Sequence, residues 1–113
     1  MLERAERLHR HFFTHAETAW EPPIDIFEVG RDLLIIIALP GVPENAVQVL
    51  SGAGSILIRG ERPMPIERGT SIRRLEIPYG KFERRIDLPP GQYEVRDRRL
   101  ADGCLTLALT RVD

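Results

Sequence analysis

The side chains able to do chemistry in this chain are few, and their spacing argues against most of it. His9, His11 and His15 cluster near the start, and His11 with His15 stands one helical turn apart, a spacing that can chelate a metal ion. No Cys, Asp or Glu sits at a matching distance on the same helix to complete a tetrahedral set, so a solvated polar face is expected there and no metal. Cys104 lies in a strand-like run beside Gly103 with no histidine near in sequence, which suits a small buried hydrophobe better than a nucleophile. There is neither a G-x-S-x-G elbow nor a carboxylate pair in an obviously apolar setting, so no enzyme is expected. Gly52-Ala53-Gly54 falls between two strands with no helix to follow, and no G-x-x-x-x-G-K-[ST] loop occurs, so no nucleotide or other cofactor is expected. Arg73, Arg74, Arg84, Arg85, Arg96, Arg98 and Arg99 invite a nucleic-acid reading, but Glu67, Glu76, Glu83, Glu94 and Asp97 interleave with them. With 16 basic against 17 acidic residues the net charge is −1, and ion-paired strand faces explain the pattern better than a polyanion site. What remains is the chemistry of association: apolar surface, strand edges and charge.

The elements that position these groups read as strands. The 113 residues make one domain with a modest core, and nine prolines and nine glycines punctuate the chain at strand-length intervals, as in a sandwich of antiparallel sheets. Its centre is the stretch 33–62. Residues 33–39, LLIIIAL, are too short to span a membrane and are predicted as a strand covered on both faces. Pro40-Gly41 suits a type II turn, residues 46–50 resume the extended pattern, and the 51–55 corner leads into Ile56-Leu57-Ile58 and Gly60-Glu61-Arg62. Before this unit, 24–29 is predicted as an outer strand. After it, 63–70 is an extended loop, 71–77 a strand, and 81–88 a strand on which Phe82, Arg84, Ile86 and Leu88 share a face. An arginine on a core face must find a carboxylate or several carbonyls, so Arg84 is expected at a sheet edge or subunit contact. Residues 93–100 form a charged strand, 101–103 a hairpin turn, and 104–109 alternate cleanly.

Residues 1–20 differ. Leu2, Ala5, Leu8, Phe12 and Ala16 recur at steps of three and four, as on an amphipathic helix that Pro22 and Pro23 stop. Such an arm either docks on its own domain or meets another chain. A membrane-surface helix is a third reading, opposed by Glu3, Glu6 and Glu17. The expected organisation is therefore an arm, 1–20, and an all-β body, 21–113. No stretch of about 18 apolar residues and no signal-peptide pattern occurs, so no membrane is expected and the cytoplasm is the expected location.

L-P-G-V from Leu39, G-E-R from Gly60, Y-G-K-F-E-R-R from Tyr79, L-P at Leu88-Pro89 and A-D-G-C-L-T-L from Ala101 occur in an order and at a spacing that resemble the α-crystallin domain of the small heat-shock proteins, its bacterial and plant branch in particular. The resemblance covers about residues 20–110. It implies an immunoglobulin-like antiparallel β-sandwich, a homodimer as building block, and ATP-independent holding of partly unfolded proteins. It further implies that Ile72, Arg73, Arg74, Leu75 and Glu76 leave their own domain to pair with 24–28 of a partner. The alternative is that 71–76 folds back on its own sheet, giving a monomer. An apolar peptide groove is implied at Val47 and Val49 on one strand and Tyr93 and Val95 on another, although Asp97 and Arg98 stand where the family usually has an alanine, and such charges narrow or relocate the groove. The family's Ile-x-Ile tail is not matched before Asp113, so a dimer or small oligomer is expected.

A holdase needs exposed apolar surface and enough charge to stay soluble, and no nucleotide. Leu2, Leu8, Phe12, Phe13 and Trp20 supply the first on the arm, and 29% charged residues supply the second. The competing expectation is a scaffolding or co-chaperone sandwich that binds one specific partner.

Overall fold

Period-two alternation, set by side chains that point to opposite faces of a pleated strand, governs nearly every element of the body. The computed structural model describes residues 19–113, so the residues 1–18 of the expected arm, with its three histidines, lie outside it. Seven strands follow in order: β1 Ile24–Val29, β2 Asp32–Ala38, β3 Val47–Gly52, β4 Ser55–Arg62, β5 Gly80–Asp87, β6 Tyr93–Ala101 and β7 Cys104–Arg111. One 3-10 turn, Glu44–Ala46, precedes β3. The strands form a four-stranded sheet ordered β1-β2-β7-β6 and a three-stranded sheet ordered β3-β4-β5, with every ladder antiparallel. The all-β, immunoglobulin-like antiparallel sandwich read from the sequence is the observed fold.

Between the sheets lie Leu33, Ile35 and Ile37 of β2, Ile56 and Ile58 of β4, Phe82 and Ile86 of β5, and Leu105, Leu107 and Leu109 of β7, all buried. Each such side chain is stabilised by about 1.5–3 kcal/mol on leaving water. The connections are local. Val42 N donates to Leu39 O at 3.2 Å across Pro40-Gly41, and Gly41 has φ 77°, the positive value that the third position of a type II turn needs. Asp102 and Gly103 have φ 52° and 74°, the signature of the type I′ turn that joins β6 to β7.

Two expectations change. The run 33–39 is covered on one face only: Leu34, which points away from the core, is 39% exposed, and its apolar face is shared with Phe27 across the register. Residues 71–77 form no strand within the chain, and 63–79 makes an irregular excursion between β4 and β5. A strand exists only with a ladder partner, and the described residues of the chain supply none there. The charged strand expected at 93–100 is present and carries a bulge between Val95 and Asp97.

Candidate protein-interaction site

A sandwich of two open sheets has four edge strands, and the four are treated differently here. The outer edge of β5 is partly covered by Trp20, which bridges Phe82 in parallel: Trp20 N donates to Lys81 O at 3.1 Å and Glu83 N donates to Trp20 O at 3.0 Å. The indole Nε1 donates to Gly80 O at 3.3 Å and the ring stands 5.3 Å from the Phe82 ring centroid. Trp20 thus anchors the chain to the core, while its companions in the expected client-binding arm, Leu2, Leu8, Phe12 and Phe13, lie outside the described residues. Arg84 stands on β5, half-buried and opposite Ile58, in a strand at the edge of its sheet. Among the described residues it makes neither a hydrogen bond nor an ion pair, so neither the carboxylate nor the carbonyls expected for it come from them.

The edge of β1 is bare. Its outward side chains Phe27 and Val29 are 51% and 76% exposed, and the backbone groups on its outer side have no ladder partner among the described residues. Within the excursion 63–79 short-range bonds occur: Ile66 N to Met64 O at 2.9 Å, Thr70 N to Glu67 O at 3.1 Å, and the Arg74–Glu76 ion pair at 3.1 Å. Ile72 and Leu75 are half-buried, whereas Arg73, Arg74 and Glu76 are exposed. The root of this excursion is clamped. Arg62 places its guanidinium carbon 4.6 Å from the Tyr79 ring centroid and donates from Nη1 to Pro78 O at 3.3 Å. A Cβ on Gly41 would stand 2.9 Å from Arg62 Nη2, so the glycine of L-P-G-V makes room for the arginine of G-E-R. Sequence reasoning noted both motifs but not that they meet, since only the fold brings residues 41, 62 and 79 to one place.

The remaining edges, β3 and β6, face each other across the opposite margin. Of the four expected groove residues, Val47 is a core residue at 5% exposure, Val49 and Tyr93 are half-buried, and Val95 is 38% exposed. The guanidinium of Arg98 crosses the gap, donating from Nη2 to Val47 O at 2.7 Å. Toward one end the margin opens into a cleft of about 350 Å³ lined by the 51–55 corner, Leu88, Gly91, Tyr93, Val95 and Leu109. Tyr93 and Val95 are thus brought to the cleft, and Val47 and Val49 are not.

On the exposed surface Arg85 pairs with Asp87 at 3.3 Å and Arg111 with Asp113 at 2.8 Å, and Arg59 Nε donates to Gln48 Oε1 at 2.9 Å. Among the described residues Arg84, Arg96, Arg98 and Arg99 form no ion pair with the acids that interleave with them, so the expected ion-paired strand faces are not what the structure has. The Arg111 side chain and then the Gln92 backbone N–H, both donating to it, hold the Asp113 carboxyl at a pKa of about 2. Cys104 is half-buried, less enclosed than expected. Among the described residues no three His, Cys, Asp or Glu side chains gather as a metal-ligand set, and no helix is long and apolar enough to cross a membrane.

This arrangement has known counterparts. The model of the Hsp20/alpha crystallin family matches residues 25–113. No curated protein matches the chain by sequence. Among solved structures, Heat shock protein 16.0 from Schizosaccharomyces pombe is similar at 27% identity and a TM-score of 0.73, with 82% of this chain and 88% of that one covered. The hspA protein from Xanthomonas axonopodis is similar at 28% identity and a TM-score of 0.71, over 81% of this chain and 94% of that one. A small heat-shock protein from Xylella fastidiosa, described as having a distinct high order structure, matches at 27% identity and a TM-score of 0.70, over 81% and 86%.

Proposed function

Since the chain belongs to the Hsp20/alpha crystallin family, we propose that it is an ATP-independent holdase that binds partly unfolded proteins in the cytoplasm and keeps them from aggregating, working as a homodimer or small oligomer. The observation that carries the reading is the mismatch at one margin: β1 offers an unpaired edge with Phe27 and Val29 exposed, and 63–79 offers a segment with no ladder in its own chain. Two copies resolve the mismatch. Residues 71–76 of one protomer pair with β1 of the other, which removes both sets of open backbone groups from water. Ile72 and Leu75, three residues apart, fall on opposite faces of the paired strand, so each covers apolar side chains on one face of the partner's edge, and Arg73, Arg74 and Glu76 supply the rim.

Client capture uses apolar surface left over after this exchange. The arm 1–20 is the proposed client site, with Trp20 fixing its root to the body 21–113, and the cleft at Tyr93 and Val95 is the proposed peptide groove. The test is a light-scattering assay of two unrelated clients under heat or reduction, in buffer without nucleotide. Suppression of both at near-stoichiometric ratios is the expected result. Suppression of neither, with tight binding of one particular partner, would point to the scaffolding reading instead. Sedimentation that gave a monomer at micromolar concentration would remove the exchange.

A further inference from the structure

The geometry points to the β3–β6 margin as a site selective for an extended peptide that carries a carboxylate beside its apolar side chains, with Arg98 as the residue that selects it. This rests on the reading of that margin as a peptide groove. The selection begins in the bulge of β6. Tyr93 and Val95 face inward, opposite Arg111 and Leu109, and strict alternation would bring Asp97 inward next. The extra residue between Val95 and Asp97 reverses the parity, so that Asp97 lies opposite Ala108 on the outer face and Arg98 lies opposite Leu107 on the inner one. A margin that would have presented a carboxylate therefore presents a guanidinium.

That guanidinium is partly employed. Nη2 donates to Val47 O at 2.7 Å, tying the two sheets together, and no second hydrogen bond or ion pair to Arg98 occurs among the described residues. A guanidinium has five N–H donors in a rigid fork suited to a carboxylate. The acids of the same strand do not meet it: Glu94 and Asp97 both face outward, opposite Thr110 and Ala108. On the inner face of β6 the neighbour of Arg98 across the bulge is Val95, exposed at 38%, which lines the cleft of about 350 Å³ further along the margin. On β3 half-buried Val49 follows two residues after Val47, and these accept apolar side chains. A neutral peptide laid along the margin must separate Arg98 from Val47 O and gives the charge nothing in return. One with a carboxylate in reach exchanges a carbonyl for a charge-assisted, two-pronged contact. A peptide flanked by lysine adds repulsion.

The measurement is fluorescence anisotropy with three labelled peptides, each holding two isoleucines two residues apart and flanked by Glu, Gln or Lys, titrated with the full chain. The wild type is expected to favour the Glu peptide over the Gln peptide by about tenfold, the worth of one charge-assisted hydrogen bond, and to bind the Lys peptide weakest. Arg98→Ala should erase that order and tighten the Gln peptide, and Arg98→Lys should keep a reduced preference for Glu. Thermal melts of both variants establish that they fold, and Arg98→Lys alone suffices if Arg98→Ala does not. An order unchanged in Arg98→Ala, or equal binding of the three peptides by the wild type, would overturn the role of Arg98 while leaving the groove in place. Binding of no peptide by any variant, with client protection intact, would overturn the site and leave the holdase reading standing.

Discussion

A Cβ on Gly60 would stand 2.0 Å from the Ala46 carbonyl oxygen and 2.7 Å from Phe82 Cζ, and neither neighbour can yield, one being backbone and the other a buried ring. Gly60→Ala should therefore cost about 1–3 kcal/mol by overpacking, read as a lower denaturation midpoint with an unchanged slope. An ordinary denaturation midpoint in that variant would mean that the 3-10 turn can move away. The glycine of G-E-R was visible in the sequence, but the reason for it was not, because Ala46 and Phe82 converge on it only after β4 has paired and the turn has folded over. Asp113 gives a second residue-scale test. Its carboxyl titrates at about 2 because Arg111 and the Gln92 amide bond to its ionised form. A folded-state value below the unfolded one means that this contact stabilises the fold above the ordinary carboxylate range and is lost as pH falls from about 4 toward about 2. NMR titration should place the Asp113 midpoint near that low value, and Arg111→Ala should raise it toward the ordinary one.

At the scale of elements, all seven strands stand where alternation and turn residues placed them, and β1 is the outer strand expected of it. The bulge in β6 between Val95 and Asp97 was not legible beforehand, since a bulge leaves no mark in a stretch of alternating charges. The segment 71–77 is the instructive exception. Its residues have strand character, yet strand is a relation between two chains of backbone groups, and its proposed partner belongs to another molecule. Replacing both Arg73 and Arg74 by proline removes a ladder donor whichever parity pairs, and touches no residue of the core. The sedimentation mass of that variant should fall to that of a monomer at concentrations where the wild type is a dimer, while its circular dichroism keeps the β signature. A dimer that survived both prolines would show that the subunits meet elsewhere.

As a whole molecule the described chain measures 57 × 24 × 20 Å with a radius of gyration of 16.9 Å, against about 12 Å for a closely folded chain of that length. Such elongation is what a body with an outlying segment gives. The arm belongs to this scale too. Because Trp20 is bonded to β5 and stacked near Phe82, the informative truncation removes residues 1–18 and keeps Ala19 and Trp20. The truncated chain should melt within a few degrees of the full one and protect a heated client less well, and undiminished protection would move client binding to the body. From the sequence alone followed the two-sheet class, the strand order along the chain, the type II and hairpin turns and the family likeness, because all of these depend on local periodicity, on turn chemistry or on motif order. Tertiary structure alone decided that Arg98 closes the β3–β6 margin, that Arg62, Gly41 and Tyr79 form the root of the excursion, and that Val47 is core while Val95 is exposed. Those facts depend on which residues distant in sequence become neighbours, and a one-residue bulge is enough to exchange an aspartate for an arginine at the inner face.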